Sequence, residues 1–111
     1  MAAEHEDKHP LIPSSLVQDD PSLEQLVLDF LDGLRKRLDS MQDAIRDQDF
    51  ASLQTAAHQL KGSGGSYGYP IITRCAAELE EHAKTAALED CQTALARLRE
   101  MSNRLAVKPD S

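Results

Sequence analysis

Ala56-Ala57-His58-Gln59-Leu60-Lys61-Gly62-Ser63-Gly64-Gly65-Ser66-Tyr67-Gly68 decides how the chain is read. On a helical wheel at about 100° per residue, with His58 at zero, Leu53, Ala56, Ala57 and Leu60 fall on the far side. They form an apolar stripe that needs a core. Gln54, Lys61, Gly62 and Gly65 fall within roughly 60° of His58 on the same wheel. The histidine is thus expected to face solvent, one turn from a lysine, on a surface otherwise reduced to glycine. Glycine costs about 1 kcal/mol relative to alanine inside a helix, and the stretch carries Gly62, Gly64, Gly65 and Gly68. Two explanations are open. Either the helix stops at Lys61 and the glycines make a C-cap and loop, or it continues and a partner must approach a bare face around an exposed imidazole.

Outward from this stretch the chain reads as helices. Asp47-Gln48-Asp49 is a tight polar connection in which Asp49 caps a helix carrying Phe50, Leu53, Ala57, Leu60 and the histidine face. Gly68-Tyr69-Pro70 closes that helix and opens the next, whose stripe is Ile72, Cys75, Ala76, Leu79 and Ala83, ending near Lys84. A turn at Ala86-Ala87 leads to a last helix with Leu88, Cys91, Leu95, Leu98, Met101 and Leu105. Upstream, Asp20 caps and Pro21 starts the longest run, where Leu23, Leu26, Val27, Phe30, Leu34, Leu38, Met41 and Ile45 recur at three- and four-residue steps over about 21–47. Leu28 lies outside that stripe, to be covered by the Leu11–Val17 segment or left exposed. Leu11, Ile12, Leu16 and Val17, broken by Pro13, suffice for a turn or two across one end.

Short connections make neighbouring helices antiparallel. The expected fold is all-α: an up-down-up-down antiparallel four-helix bundle with a short N-terminal helical segment. It forms a single domain over residues 11–106, between a flexible tail at 1–10 and a loose end at 107–111.

At 111 residues the chain is long enough for one self-sufficient core. With 4% aromatic residues and no tryptophan, that core must be aliphatic, which suits helix packing. The net charge of -7 argues against nucleic acid or an anionic membrane as partner. Cys75 and Cys91 lack metal-ligand spacing and are expected as small buried hydrophobes in a reducing compartment; a disulfide between them would need adjacent helices. His5 and His9, beside Pro10 and without a third ligand, belong to a solvated tail, and His82 sits at the edge of a stripe. No run reaches membrane-span length and no signal peptide is visible, so a cytoplasmic monomer without metal or cofactor is expected.

His58-x-x-Lys61-Gly62-Ser63, the small residues after it, and an aromatic followed by Gly68 resemble the histidine phosphotransfer (HPt) domain family, over about Asp20 to Leu105. The resemblance implies a helical bundle that carries a phospho-accepting histidine on a helix continuing through the small residues. It assigns His58 as acceptor, with Lys61 beside it. Receiver domains of response regulators become the expected partners, with a hybrid histidine kinase as a further one. The side chains suit that chemistry: a neutral imidazole is a nucleophile, and an ammonium at i+3 can offset phosphoryl charge. Gln54, Gly62 and Gly65 form the expected docking face, and any magnesium comes with the receiver. The glycine run misses the nucleotide-binding patterns, so no autokinase or hydrolase activity is expected. Ser63 or Ser66 with His58 lacks an orienting carboxylate identifiable from sequence. An adaptor that binds through the same face without being phosphorylated is the alternative.

Overall fold

The structure, a computed structural model, describes residues 10–109. The tail expected over residues 1–10, with His5 and His9, lies outside the described residues except for Pro10.

Four long helices build the molecule: α2 (Glu24–Arg46), α3 (Phe50–Ser66), α4 (Pro70–Lys84) and α5 (Leu88–Ser102), preceded by a short α1 (Ser15–Asp19). Successive helices pack side by side, and α5 returns to α2, closing the bundle. Asp20 caps as expected, its carboxylate accepting from Ser22 N–H at 3.1 Å, but it caps a 3-10 turn at Pro21–Leu23, and α2 begins one residue later. Asp49 caps α3 by accepting from Ser52 N–H at 3.1 Å. The polar connection before it turns through Gln48, at φ 54°.

The core is the aliphatic one that the composition requires. Val27, Phe30, Leu34, Leu38, Met41 and Ile45 of α2 meet Leu53, Ala57 and Leu60 of α3, Ile72, Ala76 and Leu79 of α4, and Leu95 and Leu98 of α5. Cys75 and Cys91 are buried free thiols, and burial pushes both above the ordinary thiol value. Leu26 departs from expectation: it lies one residue off the α2 stripe and is 47% exposed, on the rim of a shallow groove shared with Gly33, Ser63 and Tyr67. Leu28 is exposed too, not covered by the N-terminal segment.

The two ends of the described chain meet. Ile12–Pro13 (β1) pairs in parallel with Leu105–Ala106 (β2), so Leu105 lies beyond the last helix. Val107, expected in a loose end, is buried, and its carbonyl accepts from Ser14 N–H. The correction has a polar cause: Tyr69, fully buried, donates its hydroxyl to the Ala106 carbonyl at 2.7 Å, which draws the C-terminal segment onto the bundle.

Candidate functional site

Helix α3 runs without a break through Gly62, Gly64 and Gly65 to Ser66. The loop explanation is therefore excluded, and each glycine meets a different surrounding. A Cβ on Gly62 would meet nothing within 4 Å. On Gly64 it would lie 2.9 Å from both Ile72 Cγ2 and the Thr73 backbone nitrogen, so this glycine sets the close approach of α4 to α3. Gly65 seats the Thr73 hydroxyl, which accepts from Gly65 N–H at 2.8 Å and donates to the Lys61 carbonyl at 2.7 Å. That one hydroxyl bridges the donor and acceptor a turn apart and ties α4 to the backbone beneath Lys61. Gly68, at φ 91°, packs where Ser14 and Leu16 leave no room for a side chain. Ser14 also donates to the Tyr67 carbonyl at 2.7 Å, satisfying the end of α3.

On this fixed helix His58 stands out of the core, with its side chain 66% exposed. Its Nδ1 lies 3.0 Å from Glu80 Oε2 of α4. The other carboxylate oxygen, Oε1, lies 2.7 Å from Lys61 Nζ, a charge contact off the direction of a well-aligned hydrogen bond. Glu80 is 4% exposed, unusual for a charged residue. The Lys61 ammonium is the largest influence on it and holds its carboxyl below the ordinary value; burial pushes the other way, and His58 adds to the lowering. A buried carboxylate is tolerable only when compensated, and here His58 and Lys61 compensate it from one helix.

Gln54, half-buried, lines a shallow depression with His58, Glu80 and Lys84. Gly62 and Gly65 are exposed on the same helix, one turn and two turns on. The structure thus brings Gln54, His58, Lys61, Gly62 and Gly65 onto one flank, with Gly65 also packed on Thr73. His82 lies elsewhere, 3.9 Å from Asp90. Glu80 is the residue that the sequence reading missed. Its signal was faint but present: four residues after Ala76 and three before Ala83, a glutamate occupies the edge of the buried stripe of α4. Among the described residues, no group of three His, Cys, Asp or Glu side chains could hold a metal ion. None of the described helices is long and apolar enough to cross a membrane.

No curated protein and no solved structure matches the chain. The sequence does match the Hpt domain over residues 25–107, from the first turn of α2 to the buried Val107. A helical bundle agrees with that match. The chain belongs to the Hpt domain family, phosphocarrier modules of two-component phosphorelays.

Proposed function

We propose that His58 accepts a phosphoryl group from the aspartyl phosphate of a response-regulator receiver domain and donates it to the aspartate of another. The observation that carries this reading is the placement of the imidazole: its side chain is two-thirds exposed on α3, with Nδ1 3.0 Å from Glu80 Oε2. In-line transfer needs little from the carrier beyond presenting the nucleophile without obstruction. Gly62, one turn on, presents no side chain to an approaching domain, and Gln54 flanks the histidine on the preceding turn. In this reading the receiver brings its own carboxylate, and the magnesium with it. A hybrid histidine kinase carrying such a receiver is the corresponding upstream partner.

The chain acts in this reading as a carrier, not as an enzyme that phosphorylates itself. Incubating it with a phosphorylated receiver should move acid-labile phosphate onto the wild type and none onto His58→Gln. Binding of the receiver with no phosphate transferred would instead establish the adaptor alternative.

A further inference from the structure

We infer that Thr73 is a positioning residue for receiver docking: its hydroxyl, seated on Gly65, holds the glycine turn of α3 in the form that a receiver meets beyond His58. The inference rests on the phosphotransfer reading of His58 and assigns a residue that this reading leaves without a part. The Lys61 carbonyl and Gly65 N–H are the pair that an α-helix joins directly, four residues apart. The Thr73 hydroxyl engages both, accepting from Gly65 N–H at 2.8 Å and donating to the Lys61 carbonyl at 2.7 Å. A side chain of α4 thereby enters the backbone ladder of α3. The turn it enters has the lowest helix preference in α3, since Gly62, Gly64 and Gly65 are all poor helix formers. It also lies on the docking side, because Gly62 within it is the open position one turn beyond His58.

Each glycine of the turn then has a separate use. Gly62 leaves open space for the partner. Gly64 admits the α4 backbone, with the Thr73 nitrogen 2.9 Å from where a Cβ would stand, and this approach brings the Thr73 side chain within reach of α3. Gly65 leaves room for the hydroxyl itself. A Cβ there would stand 3.2 Å from Thr73 Oγ1 and, among the described residues, would meet no other neighbour within 4 Å. The position requires a hydroxyl, which accepts and donates at once. A methyl in its place would press on both backbone groups and leave them unpaired. Held in this way, the turn needs no ordering when the receiver arrives, so Thr73 bears on docking and not on the transfer step.

Thr73→Ser, Thr73→Val, Thr73→Ala, Gly65→Ala and Gly65→Ala/Thr73→Ala test this, with circular dichroism confirming the fold of each. Amide hydrogen exchange at Gly65 reads the turn in the protein alone. Receiver-to-protein transfer at increasing receiver concentration separates half-saturation from maximal rate. Thr73→Ser keeps the hydroxyl and should match the wild type within about twofold in both. Thr73→Val should speed exchange at Gly65 by about tenfold or more and raise the half-saturating receiver concentration, with the maximal rate within about twofold of wild type. Thr73→Ala adds no clash and serves if Thr73→Val does not fold; it should show the same pair of changes, with exchange about fivefold faster, as for one hydrogen bond. Gly65→Ala should raise Tm by about 4 °C in the Thr73→Ala background and by less in wild type, where the hydroxyl crowds the new Cβ. Unchanged exchange at Gly65 in Thr73→Val, or equal gains from Gly65→Ala in both backgrounds, would overturn the seating of the hydroxyl. Fast exchange with wild-type half-saturation, or a lowered maximal rate alone, would overturn the role in docking. If the wild type takes no phosphate, the phosphotransfer reading falls, while exchange at Gly65 and the Tm differences still decide whether Thr73 holds the turn.

Discussion

Gly62 and Gly64 are two residues apart in one helix, yet adding the same methyl group to each should move stability in opposite directions. Gly62 is helical, exposed and has open space where a Cβ would stand. Gly62→Ala therefore gains the helix preference of alanine and no clash, a stabilisation of about 0.8–1 kcal/mol. For a domain near 100 residues that corresponds to a rise of about 4 °C in Tm. At Gly64 the new Cβ would stand 2.9 Å from the Thr73 nitrogen and from Ile72 Cγ2, and 3.0 Å from Ile72 Cβ. Two of those atoms cannot swing aside, so α4 must move away from α3. Overpacking of this kind costs about 1–3 kcal/mol, and the helix gain recovers about 1 of it. The net loss of about 1 kcal/mol lowers Tm by about 4 °C. Thermal unfolding followed by circular dichroism should thus place the two variants on either side of wild type, about 8 °C apart. A lower Tm for Gly62→Ala would refute the continuous helix, and a higher one for Gly64→Ala would refute the close approach of α4.

Three further outcomes are expected. Gly68→Ala should lower Tm more than Gly64→Ala, because it combines φ 91° with a Cβ pressed against Ser14 and the Leu16 backbone nitrogen; an unchanged Tm would mean the N-terminal segment does not pack there. Burial pushes the Tyr69 phenol up to about 12, so its contribution is complete below the unfolded-state value of about 10 and is lost as pH rises from there through about 12. Tyr69→Phe should remove that component of the alkaline loss in denaturant titrations, and an alkaline loss identical in both proteins would contradict it. His58→Gln should shift stability by less than about 0.5 kcal/mol, because the position is exposed and Lys61 still compensates Glu80, so a large loss in the same titrations would make His58 a structural residue.

What the sequence revealed and what it concealed divide along the range of the interactions. The periodicity of α2 to α5, the Asp49 cap and the exposure of His58 depend on residues within a turn or two, and all were legible. Leu26 was misplaced because one position on a wheel separates a core leucine from the rim of the α2–α3 groove. Glu80 meets His58 only when α4 packs on α3, 22 residues later in the chain. No local pattern records that meeting. The same holds for Thr73, whose hydroxyl serves a backbone 12 residues upstream, and for Val107, buried through a strand pairing between distant ends. The glycines were legible as a group and ambiguous one by one, since spacing alone does not distinguish an open face from a helix contact.

The central claim is that the exposed imidazole of His58 is a reversible phosphoryl carrier. The most direct measurement loads the protein from a phosphorylated receiver domain, removes that receiver, and adds an unphosphorylated one while following the phosphate. Phosphate that is acid-labile, absent from His58→Gln and passed on to the second receiver is the predicted result. Phosphate that resists acid, or that labels His58→Gln as well as wild type, would contradict it.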